Sequence, residues 1–526
     1  MARILVADKI SGLGLEILRS AGHQADERAG LSQAQLIEAI TPYEGLIVRS
    51  ATKVTASVIE AGSNLRLIGR AGVGVDNVDV EAATERGVIV MNTPYGNITA
   101  AAEHALALLM ALARHVSAAD ASMKAGEWEK KKFTGVELGG KTLGVVGLGK
   151  VGSIVARVAQ ALDMRVVVCD PYLNPQRAKE MDVEPCELAV LLSEADFITL
   201  HVPLNESTRG MIGQREIALM KPTARLVNCA RGGVVDEEAL AGALRQGCIA
   251  GAALDVFGEE PLAADSPLRN LPNLVLTPHL GASTAEAQEK VSDDLVRQFV
   301  DYFARGEIRN PVNLAVTLKP HLAPYAKLAE LLGSFAAQIV PGGISRVECR
   351  SYGQIGRSDE DAHVLAVFAL QGVLGNRVDS RVNLVNVNRI ARSRGIELDV
   401  QHGEEARTFK NLIFVRLQGE GAQRTIAGTL FDNNEPRIVK IDEFDIDLRP
   451  ATWMLLMSYP DVPGMVGKFG TILGQAGINI AGMSVGRQEK RGKAVVVLTV
   501  DDPIPDPVLE KVRAAIDAEE AHCIRL

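Results

Sequence analysis

The sequence predicts an α/β fold with two doubly wound parallel-sheet domains, an intervening mixed α/β domain and a C-terminal ferredoxin-like βαββαβ domain. Short apolar runs alternate with helical patterns in two stretches, residues 1–95 and 141–278, as expected for parallel strands joined by helices. A proline-bearing junction at 317–324 separates these stretches from a region of mixed pattern. From residue 451 onward, strands and helices follow in the ferredoxin-like order.

Each element follows from the spacing of its apolar residues. The first sheet is expected to contain strands at 3–7, 45–48 and 65–68, with a helix through Leu13 and Ile17 that stops at Gly22. The second stretch opens with a long helix at 98–115, followed by strands at 143–146, 165–169, 197–200, 225–227, 252–256 and 274–277. The mixed region is expected to hold a helix at 328–340 and strands at 346–350 and 412–417. The C-terminal strands are predicted at 453–458, 478–485, 494–500 and 521–526, and the helices at 464–475 and 508–517.

Length and composition describe a globular chain of several domains. The 526 residues are 47% hydrophobic and 23% charged, with a net charge of −9 and 4% aromatic residues, which argues against nucleic-acid partners. The six cysteines are scattered, so no metal site is expected and a reducing cytoplasm is the expected compartment. The N-terminus is expected to be a strand and not a signal peptide. Because segment 98–116 contains Glu103 and Arg114, we expect a packing helix there and no membrane span.

A glycine motif, G-x-G-x-x-G, follows the first strand of the second sheet. Gly147 permits a tight turn, Gly149 lets the backbone approach a pyrophosphate, and Gly152 allows close packing of the helix predicted at 153–162. The N-terminus of that helix offers free N–H groups to phosphates. Asp170 ends the next strand, where it suits two ribose hydroxyls and would repel a 2′-phosphate. The motif therefore favours NAD over NADP.

Hydride transfer from an alcohol also requires a base for the hydroxyl proton and a cation for the developing carbonyl or the carboxylate. His201 and His279 both follow strands of the second sheet, where ligands bind, and spacing alone favours His279. His104 and His115 lie on the long helix and are expected to pack or to cap it.

An arginine and two glutamates complete the candidate set. Arg231 ends a strand beside two glycines, a position from which it can bind a carboxylate with both arms of the guanidinium. A carboxylate on the second imidazole nitrogen would orient the base and raise its pKa. Glu259 and Glu260 are both candidates for that role, and spacing does not separate them.

Taken together, these residues resemble the D-isomer-specific 2-hydroxyacid dehydrogenase family, and the chain is identified as a member of it. The resemblance covers residues 1 to about 315. It is carried by the glycine motif with Asp170 and by the segments VRSATKVT at 48–55, GRAGVGVDN at 69–77, NCARGG at 228–233, DVFGEEP at 255–261 and PHLGAST at 278–284.

The resemblance implies a role for each candidate. Arg231 would bind the substrate, His279 would be the acid/base, and Glu260 would be its partner, because the family places that glutamate 29 residues after the arginine. His201 would line the cofactor pocket. The implied NAD contacts, besides the three glycines, are Lys150, Val151, Asp170, Cys229, Ala230, Asp255 and the run His279, Leu280, Gly281 and Ala282.

The resemblance also implies a division of the chain. Residues 1–95 and 286–316 would form a discontinuous substrate-binding domain, and 96–285 the Rossmann NAD-binding domain, with hinges near 95 and 285. Residues 317–450 resemble the intervening domain of the family's long forms, and 451–526 resemble an ACT domain.

The expected substrate is D-3-phosphoglycerate, oxidised to 3-phosphohydroxypyruvate at the entry to serine synthesis. Such a phosphorylated acid carries about three negative charges, and Arg49, Ser50, Lys53 and Arg70 lie in the segments that face substrate in the family. Lys130, Lys131 and Lys132 would lie near a neighbouring subunit's cleft. A glyoxylate or hydroxypyruvate reductase and a nucleotide-sensing, corepressor-like scaffold are the alternatives.

The ACT resemblance implies regulation by L-serine. Tyr459, Asp461 and Asn479 occupy the positions where serine-binding relatives carry their ligand residues. Because the sheet of such a domain has open edges, two copies are expected to pair there, within a homotetramer or a homodimer.

Overall fold

The structure, a computed structural model, describes residues 1–378, 381–405 and 408–526. Its first domain is a five-stranded sheet in the order β2-β1-β3-β4-β5, with every neighbouring pair parallel. Its elements are β1 Arg3–Val6, α1 Gly12–Ser20, β2 Gln24–Glu27, α2 Gln33–Ile40, β3 Gly45–Val48, α3 Ala56–Ala61, β4 Leu67–Arg70, α4 Val80–Glu85 and β5 Ile89–Asn92. Strands β1, β3, β4 and β5 are largely buried on both faces, which explains why they are mostly apolar runs without alternation, whereas the edge strand β2 is polar.

The second domain is a seven-stranded parallel sheet in the order β12-β11-β10-β9-β6-β7-β8. Its elements are α5 Ile98–Arg114, α6 Val116–Lys124, β6 Thr142–Val146, α7 Lys150–Ala161, β7 Arg165–Cys169, α8 Pro175–Glu180, β8 Glu184–Pro185, α9 Leu188–Glu194, β9 Phe197–Leu200, α10 Gln214–Ala218, β10 Arg225–Asn228, α11 Glu237–Gln246, β11 Gly251–Leu254 and β12 Leu274–Leu276. The strand order reverses between β6 and β9. Ligands bind at such a switch point, beyond the carboxyl ends of the strands.

Helix α12 (Ala285–Arg305) follows the second sheet but packs on the first. Val291, Leu295 and Phe299 from α12 are buried with Ile4, Ile47 and Leu67 of the first sheet. The Phe299 ring lies so close to Gly69 that a Cβ on this glycine would collide with it. The chain therefore crosses between the two sheets twice, and a cleft lies where it crosses.

The third domain is a six-stranded mixed sheet in the order β14-β13-β15-β16-β17-β18. Its elements are α13 Ala323–Ile339, β13 Ile344–Gly353, α14 Asp359–Gly375, α15 Val387–Ser393, β14 Glu397–Gly403, β15 Asn411–Gly419, β16 Gln423–Phe431, β17 Glu435–Ile441 and β18 Phe444–Leu448. The paired helices α13 and α14 supply much of one core with this sheet. Part of the third domain also docks on the first, because Val385 is buried in the first core and the Asn383 side chain donates to the carbonyl of Gly87 at 2.7 Å.

The C-terminal domain has the βαββαβ order and a four-stranded antiparallel sheet, β20-β21-β19-β22. Its elements are β19 Trp453–Pro460, α16 Met465–Gln475, β20 Ile480–Arg487, β21 Lys493–Val500, α17 Asp506–Ala515 and β22 Glu520–Arg525. One face of this sheet packs on α16 and α17. The other face shares the core of the third domain, where Leu456 and Val497 are buried with Ile441 and Phe444.

The predicted fold class is confirmed, with local differences. Helix α7 begins at Lys150 and not at residue 153, because Gly152 is part of the helix and packs against the Gly147 carbonyl. The second sheet gains the two-residue strand β8, too short to give a pattern. Helix α5, rich in Ala and Leu, packs in the second domain, and no helix of the described residues is long and apolar enough to cross a bilayer.

Candidate active site

The glycine loop has the shape that a bound pyrophosphate requires. Gly147 has φ +91°, and a Cβ there would lie 2.6 Å from the carbonyl oxygen of His201. A Cβ on Gly152 would collide with the Gly147 carbonyl, whereas Gly149 has open space beside it. Gly147 and Gly152 are therefore required by the fold, because a side chain at either position would collide with the backbone. Gly149 leaves room for a ligand at the N-terminus of α7.

Asp170 lies at the end of β7 and holds the glycine loop. Its carboxylate accepts hydrogen bonds from the N–H groups of Leu148 at 2.8 Å and Tyr172 at 2.9 Å. Lys150, the first residue of α7, places its ammonium 3.3 Å from the centre of the Tyr95 ring, at the crossing between the two domains. The loop and Asp170 thus form one hydrogen-bonded unit.

His201 and Cys229 lie at the ends of β9 and β10 as neutral groups. Burial lowers the pKa of His201 to about 4, and its Nε2 lies 3.0 Å from the Thr199 hydroxyl. Burial raises the pKa of the Cys229 thiol, with a smaller contribution from the charge of Asp255. The lowered pKa makes His201 a weak base, and the raised pKa keeps Cys229 a neutral thiol and not a nucleophilic thiolate at neutral pH.

His279 and Glu260 form a hydrogen-bonded pair. Nδ1 of His279 lies 2.7 Å from Oε2 of Glu260, and the N–H of Phe257 donates to Oε1 of the same carboxylate at 3.1 Å. This hydrogen bond raises the pKa of His279 against the opposing effect of burial. Burial acts to raise the pKa of Glu260, but the bonds from His279 and Phe257 outweigh it, so the pKa lies below its usual value. The imidazole is therefore oriented and its protonated form stabilised, as in an acid/base catalyst.

Arg231 follows β10 in a turn fixed by Asn228. The Asn228 side chain donates to the carbonyl of Arg231 at 2.9 Å and accepts from the N–H of Ala230 at 3.0 Å. The Arg231 Nε lies 3.5 Å from Oδ2 of Asp76, which belongs to the first domain. The guanidinium also lies against Gly74, where a Cβ would be 2.8 Å from Nη2. Arg231 therefore spans the cleft, and sequence patterns gave no sign of its partner Asp76.

A cavity of about 770 Å³ lies between the first two domains and joins the predicted substrate residues to the His279–Glu260 pair. Its lining includes Arg49, Ser50, Lys53, Arg70, Glu260 and His279. Arg269, which sequence patterns did not single out, also lines it and donates to the carbonyls of Leu262 and Ala263 at 2.7 and 2.8 Å.

Arg70, one of the cations that line this cavity, has a lowered pKa and an Nε left unpartnered by the described part of the chain. Burial and the nearby charge of Arg231 lower its pKa to about 10. Among the described residues, no carboxylate lies within 4.0 Å of the guanidinium, and its Nε has no hydrogen-bond partner. A half-buried cation with no carboxylate in contact is destabilising, and a bound anion would relieve this cost.

The structure places His104 in a hydrogen-bonded cluster, whereas the sequence suggested a packing or capping residue. Its Nε2 lies 3.1 Å from both Oδ1 of Asp255 and the hydroxyl of Thr277. Asp255 is fully buried and also accepts hydrogen bonds from the N–H groups of Leu280 and Gly281. His115, by contrast, ends α5 as its C-cap with φ 53°. A helical pattern cannot distinguish the two, because the partner of His104 is 151 residues away.

Tyr459, Asp461 and Asn479 do not meet within one chain. Tyr459 and Arg487 both stand opposite Ala494, whereas Ile480 stands opposite Val500 at the other end of the sheet. At about 3.3 Å per residue, the two ends are roughly 20 Å apart. Asp461 pairs with Arg487 at 3.2 Å, and Asn479 donates to Asp501 at 2.7 Å.

The fold and the cavity are those of an NAD-linked dehydrogenase of 2-hydroxy acids. The family profile described as "D-isomer specific 2-hydroxyacid dehydrogenase, NAD binding domain" matches residues 106–281. "D-3-phosphoglycerate dehydrogenase intervening domain" matches 321–442, and "ACT domain" matches 453–517. The chain belongs to the D-3-phosphoglycerate dehydrogenases of this family, and its cofactor is NAD.

Relatives match the chain along its whole length. D-3-phosphoglycerate dehydrogenase of Synechocystis is 44% identical over 100% of this chain and 95% of its own. The enzyme of the same name from Archaeoglobus fulgidus is 40% identical over 98% and 99%. Among solved structures, a Thermus thermophilus protein (37% identity, TM-score 0.55) covers 59% of this chain and 99% of its own. A glyoxylate reductase from Paecilomyes thermophila (29%, TM-score 0.54) covers 59% and 98%.

Proposed function

We propose that the cavity between the first two domains oxidises D-3-phosphoglycerate to 3-phosphohydroxypyruvate with NAD, through Arg231, Glu260 and His279. The observation that carries this proposal is the position of the hydrogen-bonded His279–Glu260 pair in the same cavity as Arg49, Lys53 and the half-buried Arg70, whose Nε has no hydrogen-bond partner within the described ranges. A base and an anion pocket in one cavity suit a hydroxy acid with a second negative group.

The roles follow from the contacts. Neutral His279 accepts the proton of the C2 hydroxyl as hydride leaves C2, and Glu260 stabilises the imidazolium that forms. Arg231 binds the substrate carboxylate and stabilises charge on the C2 oxygen, with Asp76 holding its guanidinium across the cleft. NAD, when bound, supplies the hydride acceptor. The glycine loop and Asp170 would hold its pyrophosphate and ribose, while Val151, Cys229, Ala230, Asp255 and Leu280–Ala282 would line the rest of its site.

Three cationic side chains of the cavity favour a phosphorylated substrate over a smaller acid. Glyoxylate offers one carboxylate, which Arg231 alone can bind, and this would leave Arg49, Lys53 and Arg70 without a partner. A phosphate group brings about two further negative charges. Lys130, Lys131 and Lys132 form an exposed 3-10 turn and do not line this cavity, so they add no charge to it.

The proposed domain boundaries separate the substrate-binding residues from the NAD-binding residues. We assign 1–95 and 286–316 to the substrate-binding domain, 96–285 to the NAD-binding domain, 317–450 to the intervening domain and 451–526 to the ACT domain. The packing of α12 on the first sheet supports the discontinuous first domain. All six cysteines are free thiols, which suits a reducing cytoplasm.

L-serine is the proposed effector, bound between two ACT domains. Strand β20 is an edge of the sheet, and its Met483 and Val485 are 48% and 44% exposed. Antiparallel pairing of two β20 edges would bring Asn479 of one chain near Arg487 and its partner Asp461 of the other, whereas Tyr459 lies two strands further in and is buried. The separation of these residues within one chain therefore supports a site shared by two chains, in a homodimer or a homotetramer.

The test of the catalytic proposal is NADH formation by the purified protein. D-3-phosphoglycerate is expected to be oxidised, and His279→Ala should lower kcat by about 10²–10⁴-fold with NAD binding retained. Glu259→Gln, at the exposed neighbour of Glu260, is the matched control and should be close to wild type. Turnover of glyoxylate with NADH but none of D-3-phosphoglycerate would refute the assignment.

A further inference from the structure

His104 is the one histidine of the long helix α5 that reaches the cofactor side of the sheet. It lies at the end of the second turn of this NAD-domain helix, with its side chain 19% exposed. Thr277 donates its hydroxyl proton to Oδ1 of Asp255 at 2.6 Å. Because that proton is engaged and a carboxylate only accepts, Nε2 of His104 must carry hydrogen and share it between the two oxygens.

The hydrogen bonds that the Asp255 carboxylate accepts are divided unevenly between its two oxygens. Its Oδ1 accepts from Thr277, from the N–H of Leu280 at 2.7 Å and from His104 at 3.1 Å. Its Oδ2 accepts only from the N–H of Gly281, at 2.8 Å. Each oxygen of a carboxylate offers about two acceptor positions, so Oδ1 with three donors is full and Oδ2 with one donor has one position left.

The same carboxylate shapes the loop that carries the base. His279 has φ 56°, a left-handed conformation that a non-glycine residue adopts only when its surroundings hold it there. The N–H of His279 donates to the backbone carbonyl of Asp255 at 2.9 Å, and the next two N–H groups bind its side chain. Any rotation of the Asp255 carboxylate would therefore disturb the open acceptor and this loop together.

We propose that His104 is a positioning residue for the nicotinamide end of the cofactor. By fixing Oδ1 of Asp255, it directs Oδ2 to accept a hydrogen bond from the carboxamide N–H₂ of the nicotinamide. It acts through Asp255 and touches neither the substrate nor the reacting carbon. This inference rests on the proposed contact between Asp255 and NAD.

The experiment compares binding of NADH with binding of ADP-ribose, which lacks the nicotinamide. His104→Phe keeps a flat ring but removes the donor, and His104→Gln keeps a donor. In His104→Phe, the Kd of NADH should rise roughly 5–30-fold, the loss of about one hydrogen bond to a charged acceptor. The Kd of ADP-ribose should stay within about twofold, and His104→Gln should recover most of the NADH affinity. His115→Phe, at the other end of α5, is the control and should change neither Kd.

Three outcomes would overturn the proposal: equal weakening of NADH and ADP-ribose, unchanged NADH binding in His104→Phe, or no recovery in His104→Gln. If His104→Phe does not fold, Thr277→Val removes a second donor from the same oxygen and should give the same selective loss. Failure to bind NADH by the unmodified protein would count against the proposed function itself. Normal NADH binding in both the unmodified protein and His104→Phe would count against His104 alone.

Discussion

Replacing Arg70 by Met is expected to stabilise the free protein and to weaken its binding of substrate. Arg70 ends β4, and its guanidinium lies against Gly72, whose φ of +146° leaves room for it. Burial, together with the charge of Arg231, lowers its pKa from 12.5 to about 10. The charged form is therefore disfavoured in the folded state, and no anion offsets the cost until substrate arrives.

The change in stability can be calculated from this pKa, and the change in KM from the hydrogen bonds to substrate that are lost. A basic group with a lowered pKa destabilises the fold at every pH below the folded value, and the cost disappears only as pH rises above about 10. At 1.36 kcal/mol per pKa unit, the full cost at neutral pH is on the order of 3 kcal/mol. Met should recover about 1–3 kcal/mol of this. The lost charge-assisted hydrogen bonds to substrate are worth about 1.5–3 kcal/mol, which corresponds to roughly a 10–150-fold higher KM.

Thermal unfolding with and without D-3-phosphoglycerate, beside steady-state kinetics, measures both effects. Arg70→Met should have a higher Tm than the unmodified protein, a higher KM for D-3-phosphoglycerate, and a smaller increase in Tm when substrate is added. Arg86→Met changes an exposed arginine of the same domain and should alter none of these. A lower Tm for Arg70→Met at unchanged KM would refute the idea that this buried cation waits for an anion.

Three further outcomes are expected. Glu260→Gln removes the bond that raises the pKa of His279, so the acidic limb of the pH profile for oxidation, which requires neutral His279, should move to lower pH. An unmoved limb in Glu260→Gln, with Glu259→Gln as control, would contradict the pairing. Asp170→Ala should narrow the preference for NAD over NADP, and Asp170→Asn, which removes the charge but keeps one acceptor for Leu148 or Tyr172, should destabilise the loop less than Asp170→Ala does. Equal use of NAD and NADP by the unmodified enzyme would exclude this role for Asp170. Calorimetry should detect L-serine binding in the unmodified protein and weaker binding in Asn479→Ala, and serine should change the measured rate roughly 5–150-fold. No binding at millimolar serine would leave the ACT domain as an assembly module.

Most strands of the two parallel sheets could be predicted because burial on both faces makes each a short apolar run, whereas β2, β5 and β8 were not predicted. Strand β9 is buried at all four positions, three of them apolar, and lies where its pattern indicated, at Phe197–Leu200. Helix α14 could not be predicted, because its sequence has no helical period of apolar and polar residues. Ala362, Val364, Leu365 and most of their neighbours are buried on every side of it, against α13 and the sheet. A helix buried all round has no polar face, so it has no period to detect.

The candidate site could be predicted only where its residues stand at the ends of strands. His279, Arg231 and Asp170 follow β12, β10 and β7, and parallel strands bring such positions to one edge of the sheet. Asp76 and Arg269 come from loops whose partners are set by the closing of the cleft between domains, and no local pattern reports that. For the same reason, the sequence could not show that Asn479 and Asp461 lie at opposite ends of one sheet.

The proposed regulation by serine would act over a distance, and the packing of the domains offers a continuous route for it. The ACT sheet shares its core with the intervening domain, so a change in the ACT pairing can shift that domain as a body. The intervening domain in turn holds α4, because Arg389 forms ion pairs with Glu81 and Glu85. The loop that precedes α4 carries Asp76, the partner of Arg231. A small displacement of α4 would therefore reach the catalytic arginine through Asp76, so serine would act on kcat as well as on substrate binding. Asp76→Asn, which weakens this last link, should reduce the effect of serine on kcat while leaving serine binding by calorimetry unchanged. A serine response of kcat that is equally strong in Asp76→Asn would show that the signal travels by another path.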